Sequence, residues 1–432
     1  MTAAVRVRGI ASLSLALLLG SLLAVPAQAQ AVAEATDTVA TAKLLPPNVL
    51  LYVNIPNVNE FYERFSETGM GQMVHDPALA DLRAEVMRKF EEASAEAEEE
   101  IGMPLSDVLT IPSGQVAFAM LQPPGQQLGV VMLMEVGDGQ ARLDELLEKA
   151  EAEIEEQGEL TRSSDEFEGT EITVWTNENA GPNEPFKSLT YFVKDNTFVV
   201  GSGVELMEAV LVRWDGDHDR TFANDETFAY ILDRCSPDGP DSTVASWYFN
   251  PLGLFKSGMQ AAGPEVAMQS AMVMGFLPVL GFDRLKGMGG TLDFNTEEFD
   301  MVSHSVIYVK QPTTGVLRAL ECPVADLTPP KFVPATTSNI NVVNWDVQGA
   351  YTAVQETWDF FTAPGTFDNM MDEAEESEEG PGIHPKQDFI DLLTGRIHLI
   401  QELPKDFNNP EQRMVFLFGV NDQQRMEEVL SR

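Results

Sequence analysis

The sequence predicts an α+β protein of mostly antiparallel sheet covered by amphipathic helices, with one full module followed by a partial second copy. Three observations predict it: two strand pairs broken by turn residues, segments with apolar residues at helical spacing, and a pattern that recurs in the same order near the C-terminus. Leu50 to Ile55 is a short run rich in β-formers that Pro56 stops, and Asn57 caps a helix to about Thr68. Asp76 caps a second helix, Pro77 to Glu100, with proline where a missing N–H costs nothing. Val116, Phe118 and Met120 share one face of the next strand, and Leu128 to Val136 is a continuous apolar strand of the kind buried at a sheet centre. Leu143, Leu146, Leu147, Ala150 and Ile154 then recur at helical spacing. Tyr191 to Lys194 and Thr197 to Ser202 flank Asp195-Asn196, a pair that tolerates positive φ in a tight hairpin. Thr291 to Phe294 and Met301 to Val309 make a second hairpin, and Pro264 to Phe282 reads as a buried helix.

The recurrence sets the domain organisation. Tyr52 to Ile55 with Asn57-Val58 matches Val342 to Trp345 with Asp346-Val347, and Tyr62 answers Tyr351. Gly114 to Phe118 matches Gly395 to Leu399, Val131 to Val136 matches Val415 to Val420, and Arg142 to Lys149 matches Arg425 to Arg432. Four matches in order argue for duplication. The expected divisions are a signal peptide at 1–29, a linker at 30–43 with structure beginning near Leu44, a first module at 44–320, a proline-rich linker at 321–337 and a partial second module at 338–432.

Composition excludes several classes. With 68 acidic against 27 basic residues and a charge of −41, the surface repels nucleic-acid phosphate and anionic headgroups. Two cysteines make neither a disulfide scaffold nor a four-thiolate zinc site. Arg6 and Arg8, the apolar Ile10 to Val25 and Ala27-Gln28-Ala29 have the order of a secretory signal, so the expected location is periplasmic or extracellular. No later segment is apolar over the ~18 residues that make a spanning candidate, so no transmembrane segment is expected after cleavage.

Leu45-Pro46 with Tyr52-Val53, Thr68 and Gly71 before Asp76-Pro77, Asp195 to Ser202, Phe222 to Phe228 and Leu285 to Gly290 together resemble an uncharacterised family of exported bacterial proteins built on a repeated domain of unknown function. The resemblance covers most of 44–310 and, more weakly, 338–432. It implies export and modular repetition, and brings no catalytic residues with it.

Candidate sites are few. Asp215, Asp217, Asp219 and Glu226 stand at positions 1, 3, 5 and 12 of a loop between helices, the spacing of a Ca2+ loop, but Arg220 holds the position that needs glycine. The competing reading is a solvated acidic loop whose Asn224 or Asp225 caps the next helix. Cys235 and Cys322 could pair in an oxidising compartment or remain buried thiols. Met259, Met268, Met272 and Met274 cluster with Phe276, Leu277 and Leu280, which makes either core or an adaptable apolar groove for a lipid or peptide. The runs Glu91 to Glu100 and Asp372 to Glu379 read as exposed faces or loops. His304 and His398 fall in strands and read as structural histidines. The expected function is therefore an exported, non-catalytic binding or structural module whose partner is an unnamed protein, lipid or peptide. A hydrolase whose carboxylates converge only in the fold, and a calcium-dependent module, are the alternatives.

Overall fold

The computed structural model describes residues 40–74, 76–101, 108–123, 127–181, 187–236, 243–261, 272–296, 298–326, 328–334, 337–376, 382–402 and 413–431. The signal segment, His75 and residues 264–271 of the expected Pro264 to Phe282 helix lie outside these residues; of the remainder only 272–276 is helical, and 272–280 is exposed or half-buried instead of buried. The chain is α+β.

The strands are β1 (Val49–Ile55), β2 (Val116–Leu121), β3 (Gly129–Glu135), β4 (Thr161–Phe167), β5 (Thr170–Thr176), β6 (Ser188–Lys194), β7 (Thr197–Gly201), β8 (Ala245–Phe249), β9 (Leu285–Phe294), β10 (Met301–Val309), β11 (Asn339–Asn344), β12 (Leu393–Glu402) and β13 (Arg413–Val420). The first ten form one sheet in the order β10-β9-β8-β1-β2-β3-β7-β6-β5-β4, and the last three form another in the order β11-β12-β13. Among the described residues the chain divides into two compact units. The first holds 40–261 and Lys286–Tyr308; the second holds 272–285 and 309–431.

In the first unit the two-residue period of a strand sends alternate side chains to opposite faces, and both faces are covered. Tyr52, Ala117, Leu133, Phe192 and Val199 point to one face, where they pack with Leu206, Met207 and Val210 of the Val204–Leu211 helix and Phe228 and Ile231 of the Glu226–Cys235 helix. Met134 and Phe198 point to the other, against Leu143 of the Gln140–Gln157 helix. Phe61 of the Val58–Glu67 helix meets Ile55 and Phe294 on a third cluster. Asp195 and Asn196 both take positive φ in the β6–β7 turn, as the residue types require.

Packing begins earlier than Leu44. Thr41 is buried in a short helix, Thr41–Leu44, and joins a polar network inside the core. The Gln115 amide donates to Asn54 Oδ1 at 3.0 Å and to Thr41 Oγ1 at 3.2 Å, while Thr41 Oγ1 lies 2.7 Å from the Tyr52 hydroxyl. Each member satisfies another, which is what permits four polar side chains in an apolar interior.

Val116 faces Met134 across β2 and β3, and their counterparts Ile397 and Phe418 face each other across β12 and β13. Arg142 donates to the Thr110 carbonyl at 3.0 Å, and its counterpart Arg425 reaches Asp388 at 3.0 Å; both acceptors precede the middle strand. Asn344 and Arg396, the counterparts of Asn54 and Gln115, hold the carbonyls of Pro323 and Asp326. Asn54 and Gln115 thus hold Thr41 ahead of β1, and Asn344 and Arg396 hold residues 323 and 326 ahead of β11. Residues 321–326 consequently belong to the second unit instead of forming a free linker, because their carbonyls satisfy its strand side chains.

Candidate functional site

The second unit carries an exposed apolar surface. Its main element is the Val347–Phe361 helix, started by Asp346, whose carboxylate accepts the Gly349 N–H at 2.9 Å. Val347, Ala350, Tyr351 and Ala353 are buried and anchor the helix. Toward its C-terminus the pattern reverses: Trp358 is 44% exposed, Phe360 56% and Phe361 50%. Phe276 lies 5.3 Å from Phe361, ring to ring, and Phe360 meets Phe361 edge-on at the same distance. Met272, 67% exposed, and Val273 precede Phe276 in the same unit. The 276–281 segment is fixed by the Val316 N–H, which donates to the Leu280 carbonyl at 3.0 Å.

Phe367, at the start of the Thr366–Glu376 helix, packs on Tyr351 and Trp358 at 5.4 and 6.3 Å. That helix turns Asp368, Asp372, Glu373, Glu375 and Glu376 to solvent, so carboxylates rim an aromatic surface. Part of the Asp372 to Glu379 run is thus an exposed helical face; residues 377–379 lie outside the described residues.

The turn between these two helices is held by Asp359, whose two oxygens accept the Gly365 and Phe367 N–H groups at 2.7 and 2.9 Å. The bond from Phe367, then that from Gly365, holds the Asp359 carboxyl below the usual carboxylate range. A folded value below the unfolded one means that these bonds contribute fully above about pH 4 and are lost as the pH falls through the folded value. Hydrogen exchange at the Gly365 and Phe367 amides is therefore expected to accelerate beyond its intrinsic pH dependence on acidification below about pH 4, and Asp359→Asn to abolish that extra step. An identical profile in the variant would contradict this assignment.

The structure treats the other candidates differently. Among the described residues no group of three or more His, Cys, Asp or Glu side chains is placed to hold a metal ion, so Asp215, Asp217, Asp219 and Glu226 are not brought together as one. Asp215 Oδ1 instead accepts the Asp217 N–H at 3.0 Å, and the Asp219 carbonyl accepts from the Asn224 side chain. Asp225 caps the helix that Glu226 begins, accepting the Thr227 and Phe228 N–H groups. Cys235 and Cys322 are both free thiols. Cys235 is sealed in the core of the first unit, where burial pushes its thiol up, while Cys322 is exposed.

Met259 lies on the Pro251–Ala261 helix of the first unit, and Met268 is outside the described residues, so only Met272 and Met274 share a unit with Phe276. His304 is exposed on β10, and the His398 ring lies 6.5 Å from that of Phe332. His384 is a structural histidine that sequence reasoning missed: its Nδ1 accepts the Lys386 and Gln387 N–H groups at 3.2 Å, beside Pro385 at the first helical position.

A concavity of about 490 Å3 lies on the first unit, lined by Glu168, Glu171, Thr173, Tyr191 and Lys194 among others. Burial, then the Glu151 carboxylate that accepts its proton, pushes the Tyr191 phenol up to about 12. It therefore serves as a hydrogen-bond donor at neutral pH rather than a base. Compared with known protein families, curated proteins and solved structures, the chain matches none.

Proposed function

We propose that this chain is an exported binding module, periplasmic or extracellular, that captures an apolar, basic peptide segment on the second unit. The observation carrying the reading is the surface of exposed Met272, Trp358, Phe360 and Phe361 beside the half-buried Phe276, with carboxylates at its rim. Aromatic and methionine side chains supply contact area that adapts to different apolar partners, the mode by which grooves take up one face of an amphipathic helix. The carboxylates of the Thr366–Glu376 helix favour lysine and arginine on that helix's other face, and the charge of −41 disfavours an anionic membrane. The signal-like N-terminus and the resemblance to exported repeat proteins support the address.

The test is titration with a synthetic Leu/Lys amphipathic helical peptide, followed by Trp358 emission and calorimetry. Binding is expected with a blue shift that Trp358→Phe removes, and Phe360→Ser is expected to weaken it at least about ten-fold, equivalent to about 1.4 kcal/mol. Vesicles of phosphatidylglycerol are expected not to bind. No heat with the peptide, or equal binding by Phe360→Ser, would sink the reading.

A further inference from the structure

The second sheet has an open edge whose counterpart in the first unit is closed. β3 pairs with β2 on one side and β7 on the other, whereas among the described residues β13 pairs with β12 alone. Phe416 is 57% exposed and Phe418 55%. An apolar strand with unpaired backbone N–H and C=O groups is a template for another strand. Residues 414–421 contain no charged side chain, in a chain of charge −41, so a second copy approaching here would meet no opposing carboxylates on this strand.

We propose that β13 pairs antiparallel with β13 of a second copy, about a two-fold axis at Leu417. The first unit supplies the register. There Val131 faces Gly201, Met132 faces Val200, Leu133 faces Val199 and Met134 faces Phe198. β7 reads Thr197-Phe198-Val199-Val200-Gly201, and Val415-Phe416-Leu417-Phe418-Gly419 has the same succession of two bulky flanks, a central aliphatic and a final glycine. With the second copy's β13 in the place of β7, Val415 faces Gly419, Phe416 faces Phe418, and Leu417 faces itself. That register is its own two-fold image, as an isologous contact requires. The Gln140–Gln157 helix follows β3 without blocking β7, and the Gln423–Leu430 helix follows β13 in the same order.

Phe416 and Phe418 of both copies then share one face. With ring side chains of about 150–250 Å2, each roughly half exposed, the four cover about 400 Å2. A stable interface needs about 1,200 Å2, so the remainder must come from the flanking residues and the new strand ladder, and the dimer is expected to be weak and concentration-dependent.

Sedimentation of the full chain over a rising concentration series is expected to show the mass doubling. Phe416→Lys is expected to raise the dissociation constant at least about ten-fold, and adding Phe418→Glu to restore pairing, because each new lysine faces a new glutamate across the axis. In a Cys322→Ser background, Leu417→Cys is expected to cross-link two copies on oxidation, since facing residues in a ladder lie within disulfide reach. Met414→Cys is not, because Met414 faces Val420. A monomer at every concentration, a Phe416→Lys dimer of unchanged affinity, or Met414→Cys cross-linking as fast as Leu417→Cys would each overturn the proposal.

Discussion

Replacing Phe222 by alanine is expected to cost about 3–5 kcal/mol, the range for a buried aromatic that leaves a cavity. Its ring is stacked on Phe228 at 4.1 Å and meets Tyr52 and Tyr248 at 5.2 and 5.3 Å, so one deletion removes the centre of a four-ring cluster. The rings join three separate parts of the first unit: Tyr52 on β1, Tyr248 on β8, and Phe228 on the Glu226–Cys235 helix. Relaxation cannot close the gap cheaply, because two of the neighbours are strands held by ladders on both sides. Against a typical domain stability of about 5–15 kcal/mol, the variant is expected to lie near its unfolding threshold. Phe222→Leu keeps most of the volume and is expected to cost well under half as much. Urea denaturation distinguishes them; an alanine variant within about 1 kcal/mol of the parent would show that the cluster is not a core.

The second large effect falls on the other unit. Gly395 has φ +83°, and a Cβ there would stand 1.9 Å from the Trp345 carbonyl oxygen. The approach is enforced from both sides: the Gly395 carbonyl accepts the Trp345 N–H at 2.9 Å, and the β12–β13 register shifts between Leu393 and Ile397. Left-handed backbone costs an L-residue about 1–2 kcal/mol, and relieving the clash must also break the Trp345 bond, so Gly395→Ala is expected to cost about 3 kcal/mol or more. Gly365, φ +81° with nothing within 4 Å of its Cβ position, isolates the backbone cost alone, so Gly365→Ala is expected to cost about 1–2 kcal/mol. Hydrogen exchange should show the Gly395→Ala loss across β11 and β12 and not across β1 to β3. Equal losses for the two glycine variants would remove the steric argument.

How far these features could be read beforehand depended on how local their causes are. β1, β2, β3 and the helix after them were legible because apolar period and caps lie within a few residues: Asn57 and Asp76 cap as their types require. The Asp195-Asn196 turn was legible for the same reason, whereas β4 was not. Its Thr161 to Glu166 are all exposed and polar, so no apolar alternation marks them, and the Glu168-Gly169 turn at positive φ was the surviving signal. The glycine-rich Leu285 to Gly290 run, left outside the strand expected from Thr291, is the start of β9, where the absence of a Cβ at Gly290 lets the His304 carbonyl approach within 2.3 Å of where one would stand. Of the aromatic surface, Met272 and Phe276 were flagged by composition. Trp358, Phe360 and Phe361 were not, because an apolar helix stripe has the same sequence whether a neighbour covers it or solvent does. Only the packing of Tyr351 inward and Phe361 outward separates the two ends of that helix.

The strand order also has a consequence for how the chain folds. β1 pairs with β2 on one side and with β8 on the other, and β8 lies roughly two hundred residues later in the chain, a long loop to close. The block β1-β2-β3-β7-β6-β5-β4 can assemble from nearer partners, and until β8 arrives one side of β1 presents an uncovered run of Leu51, Tyr52 and Val53. Assembly of the ten-stranded sheet is thus a race between β8 and foreign strands for the same hydrogen bonds, and the long delay before β8 is what sets the odds.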